Sequence, residues 1–322
     1  MAKNNVLLPR TIESRMRTSL VRGLYRRPGS NKGDYGHIFI LAGSLGFTGA
    51  AVLTALAAMR TGAGLVTLGI PGSLNTIVAK RILEAMTKPL PETSQKTLSL
   101  AAYKQIIDFA KKADVLAIGP GLSRNLQTQK LIRKVISNTN IPLVIDADGL
   151  NALAGHLNIL RTTPACRTGR QDAQRKTHNA CLPDRQARRT TILTPHPGEF
   201  SRLIGKSVNY IQENRETLAK SFAREYNVVL VLKGHRTVVA CAKNKSYVNK
   251  TGNPGMSTAG AGDVLTGMIT ALLGQGFNSF ETARLGVYLH GLAGDLAAKE
   301  KTQAGLIASD IIEKIPEAIK KL

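Results

Sequence analysis

Tryptophan is absent from this 322-residue chain, and aromatic side chains make up only 4% of it. Proteins that grip single-stranded nucleic acid stack the bases on aromatic rings, so a surface of that kind is poorly provided for here. Cysteine is scarce as well. Cys166, Cys181 and Cys241 show no metal-ligand spacing and no disulfide framework, which implies a reducing compartment. No long apolar run is present, since the stretch from Ala50 to Ile70 is broken by Arg60 and three glycines. That excludes a membrane span, and the N-terminus is too poor in apolar residues for a signal peptide. A cytoplasmic protein is therefore expected.

Acidic side chains are few, 21 against 44 Lys and Arg, for a net charge of +23. Such a balance suggests an anionic partner, and nucleic acid is one class. The distribution argues otherwise. Residues 1–33 hold eight basic side chains against Glu13 alone, and residues 161–190 hold eight against Asp172 and Asp184. Neither segment has helical or strand periodicity, and the remaining charge suits anionic small molecules equally well. Residues 1–32 read as a basic leader. The 161–190 segment has hardly an apolar residue to bury, so disorder or poor packing is expected there.

Hydrophobic residues make up 43% of the chain, enough for a sizeable core. His37–Ala42 is a short continuous apolar run, as expected of a strand buried on both faces. The small-residue segment Ala50–Met59 reads as a helix, and Leu65–Ile70 as a strand. The alternation continues with strands at Val115–Ile118, Pro142–Ile145, Ile192–Leu193 and Val228–Leu232. Helices are expected between them at Leu126–Ile136, Leu150–Ala154 and Ile211–Tyr226. Strands separated by helices give βαβ units, a mostly parallel sheet and helices on both faces. Ligands of such sheets sit at the carboxyl ends of the strands. Those ends carry Gly43-Ser44, Gly119-Pro-Gly121, Asp146-Ala-Asp148, Thr194-Pro-His-Pro-Gly-Glu199 and Lys233-Gly-His-Arg-Thr237.

Thr251-Gly-Asn-Pro-Gly-Met-Ser-Thr-Ala-Gly-Ala-Gly-Asp263 then runs into the apolar stretch beginning at Val264. Glycines let backbone N–H groups approach an anion, and the first turn of a helix offers unpaired donors. A phosphate suits such a loop, but Asp263 would repel it. The conflict resolves if Asp263 faces the group that attacks the phosphate and acts as its base, as in kinase chemistry. The bland alternative is an Asp that caps its helix.

Taken in order, Gly33-Asp-Tyr-Gly-His37 with Ala42-Gly-Ser44, Gly119-Pro-Gly121, Asp146-Ala-Asp-Gly-Leu-Asn151, Thr194–Glu199 and Thr251–Asp263 resemble the ADP/ATP-dependent NAD(P)H-hydrate dehydratases. These are repair enzymes of the ribokinase-like superfamily. The resemblance runs from about Gly33 to the C-terminus and leaves out the 161–190 segment. It implies a ribokinase-like α/β domain over 33–322 that dehydrates (6S)-NADH hydrate or (6S)-NADPH hydrate, using ADP or ATP with Mg²⁺.

The same resemblance implies roles for particular residues. Asp263 would be the catalytic base and a substrate contact, with Gly260 and Gly262 stabilising the developing charge. Lys233, Gly234, His235, Arg236 and Thr237 would contact the nucleotide, although His-Arg stands where small residues are common. Ala50, Gly121 and His196 would contact the hydrated dinucleotide, and Ser123 replaces a glycine often found there. Asp148 either holds Mg²⁺ through water or serves with Asp146 as a turn cap, and no metal ligand set can be named. A homo-oligomer, commonly a tetramer in the family, is expected, with NAD(P)H-hydrate epimerase as a separate chain. Two rivals stand beside this: a ribokinase-like kinase of a vitamin precursor or sugar, and a non-catalytic nucleotide- or RNA-binding protein. Asn253-Pro-Gly-Met256 combined with Thr194-Pro-His-Pro-Gly-Glu199 argues against the first and the intact Asp263 against the second.

Overall fold

The computed structural model describes residues 24–161 and 189–322. Strand β1 (His37–Leu41) alternates its side chains between two cores, with Ile38 and Ile40 on one face and Phe39 and Leu41 on the other. Burial on both faces is why it lacks a polar face. The sheet is completed by β2 (Leu65–Pro71), β3 (Met86–Leu90), β4 (Val115–Ile118), β5 (Leu143–Ile145), β6 (Thr191–Leu193), β7 (Val229–Leu232), β8 (Val238–Cys241) and β9 (Ser246–Val248). Their order is β3-β2-β1-β4-β5-β6-β7-β8-β9, parallel from β3 to β7 and antiparallel at the last two pairings.

The helices are α1 (Thr48–Arg60), α2 (Asn75–Ala79), α3 (Tyr103–Ala110), α4 (Leu126–Asn138), α5 (Ala147–Leu153), α6 (Asn158–Arg161), α7 (Pro197–Ile204), α8 (Val208–Glu213), α9 (Arg215–Tyr226), α10 (Ala261–Gly274), α11 (Ser279–Lys301) and α12 (Ala308–Lys320). Ile106, Leu131, Ile132, Phe200 and Phe222 bring α3, α4, α7 and α9 onto one face of the sheet. Ala51, Ala55, Leu265, Ile269 and Val287 bring α1, α10 and α11 onto the other, and α12 packs outside them through Ile311 and Ile315. Helix α10 lies very close to α1. A Cβ at Gly267 would stand 2.2 Å from the Thr54 carbonyl oxygen, so only glycine allows this approach.

The chain goes from β1 outward to β2 and β3, then returns to place β4 on the other side of β1. A crevice opens at such a reversal, at the carboxyl ends of β1 and β4.

Several expectations are corrected. The helix expected over Ile211–Tyr226 is two, α8 and α9, which part at Asn214 (φ −122°, ψ 26°). Strands β3, β8 and β9 were not anticipated: Met-Thr-Lys-Pro-Leu and Ser-Tyr-Val lack the apolar runs of inner strands, whereas β8 is a buried apolar run, Val-Val-Ala-Cys, only four residues long. At the flanks of the basic segment, Arg161 closes α6 and Arg189 is 2% exposed, donating to the Ile136 and Thr139 carbonyls. Arg189 is therefore packed while Arg161 stays exposed, and residues 162–188 lie outside the described residues, as do residues 1–23 of the leader. Residues 24–32 of that leader join the fold: Asn31 caps the short turn Lys32–Tyr35, and Arg26 stacks on the Tyr35 ring. Among the described residues, no helix is long and apolar enough to cross a membrane.

Candidate active site

At the crevice the loops after β1 and β4 are stitched together. The Gly43 amide donates to the Pro120 carbonyl at 2.8 Å, and Ser44 Oγ donates to the Gly121 carbonyl at 2.7 Å. Ala50 lies in the first turn of α1 against Gly121, where an added Cβ would come 3.0 Å from the Ala50 methyl and 2.9 Å from Phe47. The two residues expected to share a ligand thus form one wall.

One strand further on, Asp146 follows β5 and is 1% exposed. It occupies the N-cap position of α5, yet its side chain makes no capping bond. Its Oδ1 lies 2.7 Å from Lys233 Nζ, and its Oδ2 accepts from Thr266 Oγ1 at 2.7 Å. Lys233 follows β7 and Thr266 lies on α10, so one carboxylate ties three elements together. Asp148 braces the neighbouring loop, accepting from the Ser123 amide at 2.8 Å and from Asn151 Nδ2 at 3.1 Å. The turn-capping expectation therefore fails for the Asp146 side chain, whereas Asp148 acts as a loop brace.

Helix α10 begins at Gly260, whose left-handed backbone (φ +87°) suits glycine. The amides of Gly262 and Asp263 meet no acceptor among the described residues. Two free donors at the start of a 14-residue helix form a ready anion site. Asp263 does not cap its own helix and makes no hydrogen bond or ion pair among the described residues. Burial first, then the Asp146 carboxylate, with smaller contributions from Glu199 and Asp148, pushes its carboxyl up to about 7 against the pull of Lys233. Burial disfavours the Lys233 ammonium, but Asp146, Glu199 and Asp263 outweigh it and hold Lys233 above the usual lysine value. The Asp263 carboxyl is thus poised near neutrality beside a cation that stays charged.

His196 caps α7 with its ring: Nδ1 accepts from the Gly198 amide at 3.0 Å and the Glu199 amide at 3.3 Å, while Glu199 Oε2 accepts from the His196 amide at 2.8 Å. This reciprocal bonding fixes the ring's direction. Burial, then Lys233 and Arg202, lowers the His196 pKa. Burial raises that of Glu199, whose carboxylate also lies 3.9 Å from Lys233 Nζ.

Lys233–Thr237 is the tight turn of the β7–β8 hairpin and also part of a cavity wall. Lys233, Gly234, His235, Arg236 and Thr237, with His196, Gly262, Asn253 and His290, line a cavity of about 550 Å³. Arg215 holds the turn from behind, its Nη2 donating to the Leu232 and Lys233 carbonyls at 2.9 and 3.2 Å. Gly260, Asp263, Ala50 and Gly121 are not among the residues lining this cavity. Gly262 links the two regions, since a Cβ there would stand 3.3 Å from Lys233 Nζ. Three side chains of the site were missed from sequence: Thr266, His290 and the tethering role of Asp146. Thr266 follows Asp263 by three residues and so shares its helix face, a signal that was available. His290 lies inside the long helix α11, and burial lowers its pKa to about 4.

The mostly parallel nine-stranded sheet, with helices on both faces and a crevice at the strand reversal, defines a ribokinase-like α/β fold. A structure of a ribokinase-like superfamily protein from Enterococcus faecalis shares that fold, with a TM-score of 0.73 at 24% identity over 94% of each chain. This chain belongs to the NAD(P)H-hydrate dehydratase family, whose profile matches residues 38–168 and 172–317. A bifunctional NAD(P)H-hydrate repair enzyme of Moorella thermoacetica is 42% identical over 297 residues, 92% of this chain and 52% of that protein. The chain therefore spans about half the length of the curated relatives it matches. The ADP/ATP-dependent NAD(P)H-hydrate dehydratase of Bacillus subtilis, co-crystallised with ATP and Mg²⁺, aligns over 96% of both chains with a TM-score of 0.75 and 30% identity.

Proposed function

We propose that this protein converts (6S)-NAD(P)H hydrate to NAD(P)H at the expense of ADP or ATP, with Asp263 as the base. The observation that carries this reading is a carboxylate with no bonding partner among the described residues, raised to about 7, at a helix start where the Gly262 and Asp263 amides also meet no described acceptor, and beside the Lys233 ammonium. The Asp263 carboxylate takes the proton of the ring hydroxyl as that oxygen attacks the terminal phosphorus of the nucleotide. The bond from phosphorus to the bridging oxygen breaks, releasing AMP from ADP or ADP from ATP. The free amides of Gly262 and Asp263 stabilise the charge that gathers on the transferred group. Phosphate then leaves with the electron pair of its bond to the ring, the adjacent ring carbon gives up a proton, and the dihydropyridine is restored.

The Lys233–Thr237 turn and its cavity would hold the nucleotide, and the wall of Ala50 and Gly121 with His196 the hydrated dinucleotide. Mg²⁺, when bound, would ride on the nucleotide phosphates and screen their charge. The residues present fit that arrangement, since the Asp263 carboxylate has no bonding partner among the described residues. An ion carried by phosphates and water needs only one or two nearby carboxylates, and Asp263 is available to its waters.

Incubation with (6S)-NADH hydrate, Mg²⁺ and either ADP or ATP should restore the absorbance of NADH. Failure with both nucleotides, using either NADH or NADPH hydrate, rejects the dehydratase reading. Accumulation of a stable phosphorylated product from a vitamin precursor or sugar would favour the kinase instead.

A further inference from the structure

Arg124 and Arg202 come from different elements, the loop after β4 and helix α7, yet both donate to one neutral acceptor. Arg124 Nη2 lies 3.3 Å and Arg202 Nε 3.0 Å from Asn151 Oδ1. Asn151 is held in that orientation from behind, because its Nδ2 donates to Asp148 Oδ1 at 3.1 Å. Neither guanidinium has a carboxylate within ion-pair distance among the described residues. Two cations drawn onto a single uncharged oxygen repel each other; Glu199 acts on Arg202 only from a distance, and no carboxylate among the described residues bonds either guanidinium. A phosphate group would, since its oxygens match the planar donors of two guanidiniums.

Their place in the fold fits the substrate and not the nucleotide. Arg124 stands three residues beyond Gly121, and Arg202 follows His196 on the helix that His196 caps. The Arg202 charge is felt at the His196 ring, and its Nη1 would be 3.9 Å from a Cβ at Gly198. Neither arginine lines the cavity beside Lys233–Thr237. We infer that Arg124 and Arg202, oriented by Asn151, form the binding site for a phosphate group of the hydrated dinucleotide. This rests on the dehydratase reading given above. Two phosphate groups qualify, the diphosphate bridge common to both hydrates and the 2′-phosphate found only on NADPH hydrate.

The test compares the wild-type full chain with Arg124→Gln, Arg202→Gln and the double variant, measuring KM for NADH hydrate and NADPH hydrate at saturating ADP. Each single change should raise the substrate KM about tenfold and the double change about a hundredfold, while the KM for ADP stays within about twofold. Arg202→Lys, which keeps a charge but loses the fork, should fall between wild type and Gln. Equal losses for the two hydrates place the diphosphate on the pair, and a loss confined to NADPH hydrate places the 2′-phosphate there. Unchanged substrate KM in the double variant overturns the proposal, as does a rise in the ADP KM alone. Calorimetric titration with pyrophosphate and with adenosine 2′,5′-bisphosphate reads the site without turnover. At least one should bind wild type and at least tenfold more weakly to the double variant. Absence of wild-type binding by both, or equal binding to the two proteins, overturns the proposal even if the enzyme proves inactive on either hydrate.

Discussion

Lys233 Nζ lies 2.7 Å from Asp146 Oδ1 and 3.9 Å from Glu199 Oε2, at the foot of the helix that carries Asp263. One ammonium therefore serves several carboxylates, and its side chain is only 16% exposed. The arrangement keeps a cation next to the place where the transferred phosphate would gather charge. It also restrains the rise in the Asp263 pKa, since Lys233 is the one neighbour that lowers it.

Replacing Lys233 with Met removes that restraint. The acid limb of the rate profile should move to higher pH, because Asp263 then feels Asp146, Glu199 and Asp148 uncompensated. At pH 7 kcat/KM should fall by about a hundredfold or more, with a higher KM for the nucleotide. The measurement is a pH–rate profile beside that of wild type, and a limb that does not move would refute the coupling.

The raised pKa of Asp263 has opposite consequences for activity and stability. As a base it must be ionised, so kcat/KM should rise tenfold per pH unit below about 7 and level off above it. Its folded-state pKa is above the unfolded value of 3.8, so the folded chain binds the extra proton between about 4 and 7. Stability from this group is complete below the unfolded value and is lost as pH rises through the folded one. Asp263→Asn should therefore lower turnover by about 10³-fold or more. The same variant should melt higher than wild type at pH 8, by a margin worth at most roughly 4 kcal/mol, and lose that margin near pH 4. Near-normal turnover, or a melting difference that ignores pH, would contradict this assignment.

His196 combines a structural and a binding role that two substitutions separate. His196→Ala removes the ring nitrogen that caps α7 and should cost about 1 kcal/mol in stability along with substrate affinity. His196→Asn restores an oxygen acceptor at the cap position and should recover stability while the substrate KM stays high. Thermal melting and substrate KM measured on both variants check this. Recovery of both properties by Asn would reduce His196 to a cap.

Much of the fold could be read from local chemistry. Inner strands such as β1, β4 and β7 are buried on both faces, so their sequences are unbroken apolar runs. Edge strand β3 contains Lys88 and Pro89 and carries no such signal, which is why it was missed. The break at Asn214 was missed because both α8 and α9 are polar enough to read as one helix. In the site, glycine-rich turns at strand ends pointed to Gly121, His196, Lys233 and Asp263. Arg124 and Arg202 lacked such a signal, since each meets Asn151 only through the fold, whereas Thr266 could have been found from its helical spacing to Asp263.

Short-range pattern thus set the strands, the turns and the helix start that leaves two amides free, because backbone geometry and burial act over a few residues. Which carboxylate is left free for the proposed role of base was decided by the tertiary structure. Asp146, Asp148 and Asp263 are chemically alike in sequence, yet Asp146 is consumed by Lys233 and Thr266, and Asp148 by Ser123 and Asn151. Of the three, Asp263 alone has no bonding partner among the described residues and sits half-buried among like charges, and the strength of those charges depends on distances that exist only once the sheet has brought its strand ends together.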